Sequence, residues 1–287
     1  MIVARTVAEF RVARDGLLAG GPTANSKVLG LVPTMGYLHQ GHRSLMRLAR
    51  AECSAVAVTI FVNPTQFGPN DDFTRYPRDE ARDLEACAAE GVDLVLAPSV
   101  EEIYPEGACT TVSVGPLSRV LEGAARPGHF DGVATVVSKL FTIAGPCRGY
   151  FGQKDAQQLM VIRRLARDLL FPVEVVGCPI IREPDGLAMS SRNVYLSPEE
   201  RAQALGISRG LRRAEAAWTD GVRDADTLRA LVRAEIEAQP LARPEYISLA
   251  GTETLDELSG AVVRSTLLSV AVRFSGARLI DNVVLDG

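Results

Sequence analysis

The sequence predicts an α/β fold: a Rossmann-like parallel sheet with helices on both faces, joined to a smaller C-terminal α+β domain. Three observations predict it. Short apolar runs alternate with segments of helical periodicity over the first two thirds of the chain, the pattern of repeated strand–helix–strand units. The run 55–62 is β-branched or apolar on both strand faces, as a central parallel strand requires. After Asn193 the chain turns to long Ala/Arg/Glu helices and then short strands. We place the division so that 1–180 is the Rossmann-like domain and 181–287 the smaller one.

Taken in order, residues 6–18 read as an amphipathic helix, with Val7, Phe10 and Val12 among charges. Residues 28–32 form a strand, which Pro33 is expected to end because it has no N–H for a ladder. Leu45, Leu48 and Ala49 then recur at helical spacing. Strand 55–62 ends in the polar loop Asn63-Pro64-Thr65-Gln66-Phe67-Gly68. A helix over 78–90 turns Leu84, Cys87 and Ala88 inward, and strand 93–97 is closed by Pro98. Residues 110–114 are a further strand, followed by a helix marked by Val133, Val136, Val137, Leu140 and Phe141. Strand 149–151 leads to Gly152-Gln153-Lys154-Asp155 and to a helix with Leu159, Ile162, Ala166 and Leu169 on one face. Strand 173–176 completes the alternation. Ser197 and Pro198 start a long helix as N-cap and first helical residue. A second helix covers 224–237, and strands are expected at 246–249, 267–272 and 283–285.

Composition excludes several classes. A net charge of −4 is wrong for a general nucleic-acid surface, which needs clustered Lys and Arg. The five cysteines are scattered, with no Cys-x-x-Cys. Neither a zinc site nor a disulfide framework is indicated, and a reducing cytoplasm fits. No run has the length and apolarity of a membrane span, and no secretory signal is visible at the start.

The string Val32-Pro33-Thr34-Met35-Gly36-Tyr37-Leu38-His39-Gln40-Gly41-His42 sits where a strand hands over to a helix, which His42 is expected to begin. Gly36 and Gly41 permit tight turning and close approach of a ligand to backbone. His39 and His42 are three apart, on one face of a first helical turn. Free N–H groups and the positive dipole end point the same way, which makes a place for phosphate. Two surface histidines in a loop are the alternative, but the chain has only three histidines, and two are here.

His-x-Gly-His after a first strand resembles the signature of the nucleotidyltransferase and class I aminoacyl-tRNA synthetase superfamily. The longer string from Pro33 to His42 resembles the pantothenate synthetase family, and five further segments match it in order. The resemblance implies an ATP-dependent ligase. It joins pantoate to β-alanine through a pantoyl-adenylate and releases AMP and pyrophosphate. It also implies ATP as co-substrate, Mg2+, small-molecule substrates only, and a homodimer.

The resemblance assigns residues as follows. ATP is held by Pro33, Thr34, Met35, Gly36, Tyr37, Leu38, His39, Gln40, Gly41 and His42. It is also held by Gly152, Gln153, Lys154 and Asp155, the last on the ribose hydroxyls. The backbone near Ile181 takes the adenine, and Met189, Ser190, Ser191 and Arg192 close over the triphosphate. His42, His39, Lys154 and Arg192 are the catalytic set. Pantoate falls to Gln66, Gln158, Asn63 and His129, and β-alanine to Gln66. Asp83 is the magnesium candidate. Three of these have ordinary alternatives: Gln66 a loop-capping amide, Asp83 a solvated helix carboxylate, His129 a structural imidazole. The chain departs from the family pattern at Arg82, Gln153 and Ala156.

Overall fold

A computed structural model describes residues 1–19, 27–69 and 73–286. The chain divides into two compact units, Met1–Gln153 with Gln158–Pro179, and Lys154–Gln157 with Ile180–Gly287.

The first unit is built on six strands: β1 (Ile2–Ala4), β2 (Leu29–Thr34), β3 (Ala55–Ile60), β4 (Leu94–Leu96), β5 (Cys147–Gly152) and β6 (Val173–Cys178). All pairings are parallel, in the order β1-β4-β3-β2-β5-β6. The helices are α1 (Val7–Leu18), α2 (Gln40–Glu52), α3 (Glu80–Ala89), α4 (Val100–Ile103), α5 (Glu122–Ala125), α6 (His129–Ala144) and α7 (Ala156–Asp168). Strand side chains alternate between faces. Val32, Val56, Val58 and Val95 therefore share a core with Leu45, Met46 and Ala49 of α2 and Cys87 of α3. Among the other elements, α1 packs against α6. Strand order reverses between β2 and β5, the switch point beyond whose carboxyl ends open parallel sheets bind ligands. The string from Pro33 to His42 and Gly152 both leave the sheet there.

Several elements differ from expectation. Pro33 does not end its strand, because β2 runs to Thr34. The carbonyl of Thr34 accepts the N–H of Phe61 after β3, so Thr34 faces β3 and Pro33 faces the other way. On that side β2 pairs with β5 only over Leu29–Leu31, so the missing N–H lies past the end of the ladder. Residues 110–114 are not a strand. They are largely exposed, and Val112 N–H goes to the Thr135 hydroxyl of α6 at 2.9 Å instead of to a sheet. In α3 the buried residues are Asp83 and Cys87, and Ala88 is exposed. Leu169 lies beyond the end of α7 and is 51% exposed. Strand β1 at the sheet edge has too few residues to show a period.

The second unit sets α8 (Pro198–Thr219) and α9 (Ala225–Glu237) with the antiparallel strands β7 (Arg243–Gly251), β8 (Thr266–Arg273) and β9 (Arg278–Leu285). Ile207, Leu211 and Trp218 of α8 and Leu228, Val232 and Ile236 of α9 meet Leu249, Leu268, Val270 and Val272 in one core. The strands are longer than the apolar runs that announce them, since ladder pairing continues through Arg243, Arg273 and Arg278. None of the described helices is long and apolar enough to cross a membrane.

Candidate active site

Helix α2 begins at Gln40, with His39 as N-cap and His42 as its third residue. The helix thus starts ahead of His42, and both imidazoles belong to its first turn. His39 Nδ1 accepts the Gly41 N–H at 3.1 Å, and His42 Nδ1 accepts the His39 N–H at 3.3 Å. The two imidazoles make a reciprocal capping box, with ring centroids 4.1 Å apart. A nitrogen that accepts from a backbone N–H carries no proton. Each ring is therefore held in the neutral tautomer with its hydrogen on Nε2. The first turn of α2 contains no acidic residue. The positive dipole end of the helix lies at the same turn, where an anion is favoured.

The turn before α2 is held by Asp83. Its Oδ2 accepts Tyr37 N–H and its Oδ1 accepts Leu38 N–H, both at 2.7 Å. Asp83 is only 1% exposed. Burial raises its pKa, against the two backbone N–H bonds that lower it. Gly36 is obligatory here: φ is +78°, and a Cβ would lie 2.8 Å from Asp83 Oδ2. The Arg82 guanidinium stands over the Tyr37 ring, 5.0 Å from its centroid.

The loop after β3 folds as a single turn of 3-10 helix, Pro64–Gln66, capped by Asn63. Asn63 is 1% exposed and Gln66 8%. Asn63 Nδ2 donates to Gln66 Oε1 at 3.0 Å and to the Gly132 carbonyl at 3.2 Å. Its Oδ1 accepts from the Thr65 hydroxyl at 2.9 Å and from the Tyr104 hydroxyl at 2.8 Å. His129, the first residue of α6, donates from Nδ1 to the Gln66 carbonyl at 2.8 Å, and Arg126 Nη1 lies 3.2 Å from its Nε2. Asn63 and His129 therefore stand behind Gln66 and hold it. Tyr104 and Arg126 complete this support; sequence reasoning missed both, because they lie outside the matching strings or carried no role in them.

Beyond β5, Gln153–Asp155 form a 3-10 turn that runs into α7. Lys154, Asp155 and Gln158 are half-buried. Their side chains make no hydrogen bond or ion pair among the described residues. Within the second unit, the Lys154 carbonyl accepts from Asn282 Nδ2 at 2.9 Å. Nothing local in the sequence connects two residues so far apart.

In the second unit the stretch from Ile181 is a small hairpin. Arg182 pairs with Ala188, Gly186 turns at φ +99°, and Met189 N–H returns to the Ile181 carbonyl at 3.0 Å. Ser190 caps a 3-10 turn, Ser191–Tyr195, with its hydroxyl accepting Arg192 N–H at 3.3 Å. Asn193 Nδ2 ties the loop back to Glu183 at 2.8 Å and to the Ala188 carbonyl at 3.1 Å. Asp281, 3% exposed on its side chain, pairs with Arg182 at 2.6 Å. The hydroxyls and guanidinium of Ser190, Ser191 and Arg192 thus sit on a loop stapled from several sides.

A parallel sheet with imidazole donors and a helix start gathered at its switch point defines a nucleotide-binding α/β protein of the His-x-Gly-His kind. The sequence model of the pantoate-beta-alanine ligase family matches residues 3–284, and the chain belongs to that family. It is 58% identical over 287 residues to the pantothenate synthetase of Chloroflexus aurantiacus, covering 100% of this chain and 99% of that one. It is 59% identical over 286 residues to that of Roseiflexus sp. (strain RS-1), with full coverage of both chains. The crystal structure of pantothenate synthetase from Thermus thermophilus superposes with a TM-score of 0.92 at 48% identity, covering 100% of each chain. The ligase from Francisella tularensis, solved with Beta-gamma ATP and Beta-alanine, superposes with a TM-score of 0.79 at 34% identity, covering 99% of this chain and 97% of that one. The chain is thus a ligase of pantothenate biosynthesis.

Proposed function

We propose that the chain activates pantoate with ATP at the helix start made by His39 and His42, and then passes the acyl group to β-alanine. The histidine capping box carries this reading. It builds two imidazoles into a helix start at the switch point and leaves that turn without a carboxylate.

In the first step the pantoate carboxylate attacks the α-phosphorus of ATP, and the bond to pyrophosphate breaks. His39 and His42 donate from Nε2 to the phosphate oxygens on which charge develops. Donors placed in advance contribute about 10²–10³ each in rate. Lys154, Ser190, Ser191 and Arg192 hold the triphosphate and the departing pyrophosphate, with Asp155 on the ribose. The turn from Pro33 to Leu38, with Gly152 and Gln153, lines the nucleotide, and the Ile181 backbone takes the adenine. In the second step the neutral β-alanine amine attacks the adenylate carbonyl and AMP leaves. Gln66 and Gln158 hold the acid, and Gln66 reaches the β-alanine site. Asn63 and His129 act through Gln66.

Asp83 does not fit as a magnesium ligand. Both its oxygens are taken by backbone N–H groups, and it is sealed from solvent. No group of three His, Cys, Asp or Glu among the described residues is arranged to hold a metal. Magnesium commonly takes most of its ligands from water and phosphate, so its place is on the nucleotide. A cytoplasmic setting is supported by the free thiols of Cys53, Cys87, Cys109, Cys147 and Cys178, and a homodimer by the family resemblance.

The test is ATP–pyrophosphate exchange. Exchange is expected with pantoate alone, without β-alanine. Exchange that absolutely requires β-alanine refutes a separate adenylation step.

A further inference from the structure

We propose that Gln66 meets its ligand as an N–H donor, and that Tyr104 is a positioning residue that keeps it in that orientation. The proposal rests on the assignment of Gln66 to the acid site. The polarity follows from backbone groups, whose roles are not in question. One amide atom of Asn63 lies 3.4 Å from the Thr65 N–H, which can only donate, so that atom is Oδ1. The other lies 3.2 Å from the Gly132 carbonyl, which can only accept, so it is Nδ2. Asn63 is thereby locked against a flip. Its Nδ2 lies 3.0 Å from an end of the Gln66 amide, and that end must be Oε1. The carbonyl of the Gln66 side chain is turned into the protein and its NH2 is turned the other way.

Gln66 Nε2 has Met35 Sδ at 3.2 Å. A thioether is a weak acceptor and satisfies at most one of the two hydrogens. The remaining N–H selects an acceptor on the ligand, a carboxylate or hydroxyl oxygen of the acid. Gly132 makes the arrangement possible, because a Cβ there would lie 2.3 Å from the Thr65 carbonyl. Only glycine brings α6 close enough for its carbonyl to hold Asn63.

Tyr104, the residue that ends α4, closes the network. Its hydroxyl donates to Asn63 Oδ1 at 2.8 Å and lies 3.1 Å from the Thr65 hydroxyl. Lys139 Nζ stands 4.5 Å from the Tyr104 ring centroid and donates to the Ile103 carbonyl at 2.6 Å. One ammonium thus holds the ring and the backbone beside it. Burial raises the phenol pKa, so the hydroxyl keeps the proton it donates.

The test compares Michaelis constants for pantoate and for ATP in the native enzyme, Gln66→Ala, Gln66→Glu and Tyr104→Phe, with thermal midpoints alongside. Gln66→Ala is expected to raise the pantoate constant about tenfold or more, leaving that for ATP within about twofold. A native pantoate constant in that variant overturns the assignment of Gln66 itself. Gln66→Glu keeps an acceptor and loses the donor, so its defect is expected to equal or exceed that of Gln66→Ala. A native pantoate constant in Gln66→Glu, beside a defective Gln66→Ala, overturns the donor polarity alone. Tyr104→Phe is expected to raise the pantoate constant about threefold to tenfold, the worth of one neutral hydrogen bond, with ATP unchanged. A lowered midpoint with native pantoate binding in Tyr104→Phe leaves it a merely structural residue and overturns its positioning role.

Discussion

Helices α2 and α8 begin with the same geometry built from different chemistry. In α8, the Ser197 hydroxyl accepts Glu200 N–H at 3.1 Å, and the Glu200 carboxylate accepts Ser197 N–H at 2.9 Å. Helix α1 repeats this with Thr6 and Glu9. In α2 both acceptors are imidazole nitrogens, at 3.1 and 3.3 Å. A carboxylate in the first turn suits the helix dipole and stabilises the fold, yet it repels a phosphate brought to the same place. An imidazole accepts with one nitrogen and still carries an N–H on the other. The α2 start gives up the stronger cap and keeps a donor for an anion. Under the proposed function, the comparison separates a cap made for stability from one that also serves chemistry.

The largest expected effect comes from making α2 resemble α8. His42→Glu restores an ordinary box, so the thermal midpoint should match or exceed the native one. Adenylate formation in a single turnover should fall by about 10²–10³ or more, as for a lost transition-state donor. Native turnover in His42→Glu would remove the distinction between the two helix starts. His42→Asn, by contrast, disturbs the cap as well as the donor and should cost about 0.5–2 kcal/mol of stability.

The next effect belongs to α8. Glu200 also accepts from Ser275 Oγ at 2.6 Å and from Ser275 N at 2.8 Å. The Ser275 hydroxyl first, then the Ser197 N–H, hold its carboxyl down at about 2 from an ordinary 4.5. Glu200→Gln should destabilise the protein by about 1–3 kcal/mol at neutral pH, since buried donors lose their best acceptor. Its folded pKa lies below its unfolded one. The contribution is therefore complete above pH 4.5 and is lost as pH falls toward about 2. Urea unfolding of both proteins across that range should show their stabilities converging in acid. A constant difference would mean that packing, not the carboxylate, is at stake.

The smallest effect is at α1. Thr6 Oγ1 accepts Glu9 N–H at 3.2 Å near the surface. Thr6→Ala should cost about 1 kcal/mol and leave adenylation untouched. An adenylation defect there would show that an ordinary box is not purely structural.

The two helix starts are unequally legible in the sequence. Ser197-Pro198 announces an N-cap and a first helical proline, and the structure places both there and adds Glu200 as the reciprocal cap. His39 and His42 announce a phosphate site and conceal the cap, because imidazole is not an expected capping acceptor. Asp83 reads as a carboxylate facing metal or solvent, and it faces two backbone N–H groups instead. Asn63 and His129 read as residues that touch ligand, and their polar atoms go to Gln66 and its neighbours.

By itself the sequence determined the alternation of elements, most of the helix bounds and the order of the motifs along the chain. Those depend on side-chain periodicity and on contacts three or four residues apart. Tertiary structure alone decided the strand order, the burial of Asp83, the direction in which the Gln66 amide points and the grip of Asn282 on Lys154. Each of these is a pairing of groups remote in sequence, 46 residues apart for Asp83 and Tyr37 and 128 for Asn282 and Lys154. A hydrogen bond depends on where both partners arrive, and no local pattern in the chain records that.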